Sequence, residues 1–174
     1  LKISDKSTIT TRKKAMLSII ITRAQTDEAT TLKQIAIAAK RYWNYPDHLI
    51  AQWAATPIID PAAIGRDLVF VARIDDRPVG WYRLMVDRLP AILEDLWVTP
   101  EWIGQGLGRA LLNHATIECR KRGIDQIELE ADPNALGFYL RMGGTVIGER
   151  MSEWNRPVPL VRITLMQPLE SSLQ

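Results

Sequence analysis

The apolar positions of the chain fall into short blocks of two different periods. Residues 17–22, Leu-Ser-Ile-Ile-Ile-Thr, are apolar and β-branched and predict a strand. Thr26, Asp27 and Glu28 then supply a capping hydroxyl and an acidic first turn. Leu32, Ile35, Ala36 and Ala39 follow at helical spacing. That helix runs toward Tyr42-Trp43-Asn44-Tyr45, where Pro46 interrupts it, and a shorter helix is expected over residues 47–54. Residues 56–66 contain Pro57, Pro61 and Gly65 and read as a loop with one helical turn after Asp60. Three strand blocks come next, over 68–73, 79–86 and 91–98. The turns between them, Asp75-Asp76-Arg77-Pro78 and Leu89-Pro90, are short enough to make an antiparallel meander. Gly80 inside the second block predicts a bulge or a close approach. Residues 106–122 form a helix stopped by Gly123 behind Arg120, Lys121 and Arg122. A strand over 126–130, a helix over 134–142 ending at Gly143-Gly144, and strands over 145–149 and 160–166 complete the pattern.

One stretch organises this order: Leu93-Glu94-Asp95-Leu96-Trp97-Val98-Thr99-Pro100-Glu101-Trp102-Ile103-Gly104-Gln105-Gly106-Leu107-Gly108-Arg109. It reads as a strand, a glycine-rich turn and the start of a helix. Glycines at alternate positions clear the backbone for a bend or a close ligand. The first amides of the helix that follows have no internal partner and sit at the positive end of its dipole, so the turn is suited to phosphate or pyrophosphate. The spacing of Gly104, Gly106 and Gly108 is not the dinucleotide G-x-G-x-x-G, and no Gly-Lys-Ser/Thr follows, so it is not a Walker A loop.

With its Leu-Glu-Asp-Leu-Trp-Val-Thr-Pro lead-in, the stretch resembles the acetyl-CoA site of the Gcn5-related N-acetyltransferase (GNAT) superfamily. A second match is Glu130-Ala131-Asp132-Pro133-Asn134-Ala135-Leu136-Gly137-Phe138-Tyr139-Leu140-Arg141-Met142-Gly143-Gly144, which resembles that family's fifth strand and fourth helix. The resemblance extends over residues 17–167 and looks nearest the polyamine and small-amine branch. It implies an α/β fold, an α+β mixed sheet of about seven strands and four helices. The activity it implies is an N-acetyltransferase moving acetyl from acetyl-CoA to a primary amine in a ternary complex. Under the resemblance, Leu96, Trp97 and Val98 lie alongside the pantetheine, and Gly104, Gln105, Gly106, Leu107, Gly108 and Arg109 hold the pyrophosphate. The family's Gln/Arg position is Ile103 here, so phosphate contact would rest on backbone amides.

Acetyl transfer requires loss of the amine's proton, stabilisation of the thioester oxygen and protonation of the departing thiolate. Glu94 and Asp95 are neighbours on a strand and should face opposite sides. By resemblance Glu94 is the base, acting through water, and Asp95 is the alternative; either could instead be a surface or ion-paired carboxylate. Tyr139 is the candidate acid for the thiolate, and Asn134 either binds the pantetheine amide or caps a helix. Tyr42 and Trp43, with Tyr45 and Trp53, either pin two helices to the sheet or wall the acceptor pocket. Glu128, Glu130 and Asp132 would suit a cationic acceptor, with a solvated sheet end as the plain alternative. An acyl-CoA-binding module without turnover, or a protein or peptide N-acetyltransferase, are the competing functions.

Composition changes this picture little. The chain has 174 residues, 47% hydrophobic and 24% charged, as expected of one globular domain. Its one cysteine, Cys119, rules out an intramolecular disulfide and reads as a packed thiol. Lys2, Lys6, Arg12, Lys13 and Lys14 against Asp5 give the first fourteen residues a net +4, which leaves the rest of the +2 chain at −2. Residues 1–15 are therefore expected to be an appended or disordered leader and not a nucleic-acid arm, with a domain over 16–168 and a tail over 169–174. No apolar run approaches the roughly 18 residues of a membrane span, and the reading is cytoplasmic. His48 and His114 have no partners at ligand spacing, so no metal is expected. The segment 152–159 either caps the acceptor side or makes a homodimer contact.

Overall fold

The computed structural model describes residues 18–165. The expected leader over 1–15, the tail over 169–174, Leu17 and Met166 lie outside the described residues. Among the described residues, seven strands and five α-helices follow one another in the order β1 (Ile20–Arg23), α1 (Ala29–Tyr42), α2 (Asp47–Ala54), α3 (Pro61–Arg66), β2 (Leu68–Ile74), β3 (Arg77–Met85), β4 (Ala91–Val98), α4 (Leu107–Arg120), β5 (Gln126–Glu130), α5 (Leu136–Arg141), β6 (Gly144–Met151) and β7 (Pro157–Thr164). The mixed sheet is as expected; the fifth helix is not. It is the turn after Asp60, lengthened because the Asp60 carboxylate accepts from the Ala63 amide at 2.7 Å and Pro61 opens the helix with its preset φ. None of the helices among the described residues is long and apolar enough to cross a membrane.

The sheet runs β1-β2-β3-β4-β5-β7-β6. Every pair is antiparallel except β4 with β5, which are parallel and meet only at Ala91–Ile127 and Ile92–Glu128. Beyond Ile92 the two strands part, and residues 93–98 keep β3 on one side and an open edge on the other.

Two apolar clusters hold the layers together. On one face α4 buries Leu107, Leu111, Leu112, Ala115 and Cys119 against Tyr82, Leu84, Leu93, Ile127 and Leu129. On the other, Leu32, Ile35 and Ala36 of α1 and Ile64 of α3 pack on Val69, Val71 and Trp81. Trp81 is fully buried, and its indole N–H donates to the Leu32 carbonyl at 2.8 Å, which satisfies the one polar group such burial would otherwise strand. Tyr82 points the other way, and its hydroxyl meets His114 Nδ1 at 2.8 Å. His114 is thus a packing residue of α4, and burial holds its pKa below the ordinary value.

Gly80 meets both expectations placed on it. The β2–β3 register slips beside it, and a Cβ there would stand 2.8 Å from the Trp97 carbonyl oxygen and 3.1 Å from Leu111 Cδ1. The contact to backbone leaves no flexible atom to yield. Gly80→Ala is expected to cost about 1–3 kcal/mol, the range for overpacking, read from urea unfolding. An unchanged midpoint would mean that β3, β4 and α4 are not packed this closely.

Candidate active site

The parting of β4 from β5 opens a cleft of 860 Å³. One wall is residues 93–98 of β4. The opposite wall is 130–135, with Phe138 and Tyr139 of α5. The glycine turn closes one end, and α1, α2 and the β6–β7 connection close the other. The two motifs singled out in the sequence therefore face each other across one cavity.

At the first end, Gly104 and Gly106 have φ of +77° and +86°, where any side chain would be strained. Gly106 caps α4, whose first helical hydrogen bond runs from the Ala110 amide to the Gly106 carbonyl. The amides of Gly104, Gly106, Leu107, Gly108 and Arg109 find no acceptor among the described residues. They lie within one turn of the helix terminus, so their partial positive charges add to the dipole. The side chains of Gln105 and Leu107 do not line the cleft: Gln105 Nε2 bonds back to the Glu101 carbonyl, and Leu107 is fully buried in the core. Their contribution is limited to backbone. Ile103 does line the cleft, as an apolar wall.

Strand alternation would send Glu94 and Asp95 to opposite faces, but both line the cleft. The reason is a bulge. Arg83 pairs with Asp95 and Leu84 with Leu93, which leaves Glu94 as an extra residue. Glu94 is about half exposed, with Oε1 3.9 Å from Arg83 Nη2. Asp95 is buried, accepts from the Trp97 indole N–H at 2.9 Å, and leaves Oδ2 with no hydrogen-bond partner. Arg83 stands 3.3 Å from Asp67, which Arg66 also pairs at 2.9 Å, and only 3.7 Å from Asp95 and 3.9 Å from Glu94, too far for a hydrogen bond to either. Burial therefore wins at Asp95 and pushes its pKa up to about 6, against the lowering by Trp97 and Arg83. Across the cleft Tyr139 is almost fully buried in α5 and its pKa is raised by that burial, then by Asp132 and Asp95. Its hydroxyl has no hydrogen-bond partner among the described residues, and the ring lines the cleft.

The far end is built on Asp132. Its carboxylate accepts from Lys40 Nζ, the Tyr45 hydroxyl and the Asn134 amide, each at 2.9 Å. Burial alone would raise the Asp132 carboxyl, but the Lys40 ammonium and these donors hold it below its ordinary value. Tyr45 is pushed up to about 12 by burial and by Asp132. Asn134 does not cap α5, where Ala135 holds the N-cap position; its side-chain amide donates to Tyr45 and Asp132. Trp43, Tyr45 and Trp53 line the cleft, whereas Tyr42, the last residue of α1, stands 48% exposed outside it. Glu130 lines the cleft but is paired with Arg150 at 2.8 Å, and Glu128 is paired with Arg162. The three acidic residues near β5 are thus already matched by protein cations. Lys40 and Arg83 were not singled out from the sequence; the signals available were that Lys40 adjoins the apolar stripe of α1 and that Arg83 interrupts an apolar strand. Among the described residues no group of three His, Cys, Asp or Glu is placed to hold a metal.

Residues 65–143, which span β2 to α5, match the family model described as Acetyltransferase (GNAT) domain. The chain is 37% identical over 68 residues to serotonin N-acetyltransferase 2, chloroplastic, of Oryza sativa subsp. japonica, covering 38% of this chain and 34% of that protein. It is 32% identical over 89 residues to peptidyl-lysine N-acetyltransferase YjaB of Salmonella typhimurium, covering 51% and 57%. The alignments thus span between about a third and somewhat over half of these relatives. Among solved structures, PaiA N-acetyltransferase of Thermoplasma acidophilum in complex with coenzyme A superposes with a TM-score of 0.74 at 21% identity, over 85% of this chain and 99% of that one.

The raised pKa of Asp95 makes stability depend on pH. Its folded value of about 6 lies above the ordinary 3.8, so the unfolded chain releases this proton first as pH rises. The Asp95 contribution to stability is therefore retained below about pH 4. It declines between about pH 4 and 6 by roughly 2–3 kcal/mol, at 1.36 kcal/mol per unit. Asp95→Asn keeps an oxygen for the Trp97 N–H and removes that slope. Urea unfolding at pH 4.5 and 7.5 should show the variant gaining on the wild type at the higher pH. An equal gap at both values would exclude a buried, under-compensated Asp95.

Proposed function

We propose that this chain, which carries a GNAT acetyltransferase domain over residues 65–143, is an N-acetyltransferase. It transfers the acetyl group of acetyl-CoA to a primary amine by direct attack in a ternary complex. The observation that carries the reading is the set of unpaired amides at residues 104 and 106–109, opening on the cleft between the parted strands. These residues fit the co-substrate. A pyrophosphate needs convergent N–H donors at a helix terminus, and an amide-bearing thioester arm needs a free strand edge. Ile103 withholds one side-chain donor, and the backbone and Arg109 take up that work.

The roles follow from position. A Leu96 or Val98 amide on the open edge of β4 donates to the thioester oxygen. Tyr139, kept protonated by burial, donates to the departing thiolate. Glu94, at the solvent-facing wall, takes the amine's proton through water. The nucleophile is the amine itself: the one thiol, Cys119, is buried in α4, and burial raises its pKa to about 11. A second assignment for the base has its own observation. Asp95 has a pKa of about 6 and an unpartnered oxygen, which suits a proton acceptor at neutral pH.

Thiol release from acetyl-CoA, measured against amines, amino acids and peptides beside calorimetric titration of acetyl-CoA, tests the reading. Tyr139→Phe and Glu94→Gln should each lower kcat by about 10²–10⁴ while acetyl-CoA still binds. The pH–rate profile separates the bases: loss of an acidic limb near pH 6 in Asp95→Asn, with Glu94→Gln nearly wild type, would transfer the role to Asp95. Binding without turnover on any acceptor would favour a binding module. Absence of binding would overturn the assignment of the glycine turn.

A further inference from the structure

The far end of the cleft is an ammonium-binding box, and the protein fills it with its own lysine. Lys40 Nζ lies 4.7 Å from the ring centroid of Tyr45, 4.9 Å from Trp154, 5.7 Å from Trp53 and 5.9 Å from Trp97. The rings come from the α1–α2 connection, α2, β4 and the β6–β7 connection, so four separate segments converge on one charge. Asp132 completes the box at 2.9 Å. Tyr45 and Trp154 pack edge to face at 5.1 Å, and Trp53 meets Trp97 at 5.4 Å. Faces of aromatic rings beside a carboxylate are the chemistry that holds an alkylammonium. All of these residues line the same cleft as Glu94, Asp95 and Tyr139. Trp97 is hydrogen-bonded to Asp95, and the charge of Asp132 is felt at Tyr139, so the box shares walls with the candidate reaction centre.

We propose that this box is the recognition subsite for a small alkyl diamine, and that Lys40 is a resident plug which the acceptor must displace. The proposal rests on the acetyltransferase reading for its choice of acceptor. An amine under attack on a thioester must be neutral, yet Asp132 is held ionised and the rings favour a cation. The caged nitrogen is therefore not the one acetylated. An acceptor that uses the box carries two nitrogens, one retained as ammonium in the cage and one free to react. Exchange conserves charge: one alkylammonium replaces another on the same carboxylate and the same rings. The flexible Lys40 stem then carries its ammonium toward the cleft mouth and water. The plug makes acceptor binding weaker than an empty box would allow.

The prediction is a gain of affinity on deleting a charged residue. Butane-1,4-diamine is titrated into wild type, Lys40→Ala, Lys40→Met and Lys40→Ala/Asp132→Asn at constant ionic strength, with butane-1,4-diol as the neutral control. Binding is followed by tryptophan fluorescence, since three of the four rings are indoles, and by the shift in Tm. Lys40→Ala should bind the diamine at least tenfold more tightly than wild type, with a rise in Tm and no response to the diol. The double variant should lose the gain. If Lys40→Ala is unstable alone, the diamine should restore its Tm, and Lys40→Met should report the same order of affinities. Equal or weaker binding in both Lys40 variants, or a gain that survives Asp132→Asn, would overturn the proposal and leave Lys40 as a strut. These readouts need no acetyl-CoA, so failure of turnover and failure of the cage are separately visible.

Discussion

The candidate site depends on two strands that pair at two positions and then separate. β4 and β5 are held parallel at Ala91 and Ile92 by ladder bonds and by Leu93, Ile127 and Leu129 in the core beneath. Past that point each strand has a backbone edge that the sheet does not use. Unpaired backbone in a protein interior is costly unless something bonds it, so a split sheet is tolerated where it fronts a cleft that a ligand or water can enter. The split also explains why residues from β4 and from the β5–α5 connection, distant in sequence, face one another.

The electrostatics of the cleft are set by a shortage and a surplus. Asp95 is buried, and its one cation, Arg83, stands 3.7 Å away and nearer to Asp67, so its proton is held more tightly than usual. At Asp132 the balance is reversed. Three donors meet one carboxylate, and the charge is secured at the cost of fixing Lys40, Tyr45 and Asn134 around it. The cleft thus holds one carboxyl poised to exchange a proton near neutrality and one committed to binding a cation. Under the proposed acetyltransferase reading, the two conditions serve different steps and are kept apart.

The glycine turn is tied to the same arrangement. Gly104 and Gly106 take positive φ so that the chain can leave β4 and enter α4 within a few residues. α4 is anchored along its length by Leu107, Leu111 and Ala115, and Gly80 lets β3 pass close beneath it. The unpaired amides are therefore held by a packed core and not by a mobile loop, which is what a preorganised anion site requires.

Local signals were enough for most of the fold. The boundaries of β4, β5 and α2 match the periodicity read from the residues, and the glycine turn and Gly123 carry their own backbone chemistry. Short turns dictated the β2–β3–β4 meander, because strands joined so tightly have no other way to pair. The sequence also determined that a helix terminus with free amides follows a strand edge, since glycine spacing and helix polarity are properties of contiguous residues. What it left open were questions of non-local charge and register. The bulge that brings Glu94 and Asp95 to one cleft arises from pairing with Arg83 and Leu84, and strand alternation alone points the other way. Tyr42 and Tyr45 look alike in sequence, yet one ends a helix in solvent and the other bonds Asp132 from eighty-seven positions away in the chain. The pairing of Glu128 and Glu130 with Arg162 and Arg150, and the closing of four rings on Lys40, exist only once distant segments meet. Contiguous residues decided the backbone; only tertiary structure decided which charges answer one another.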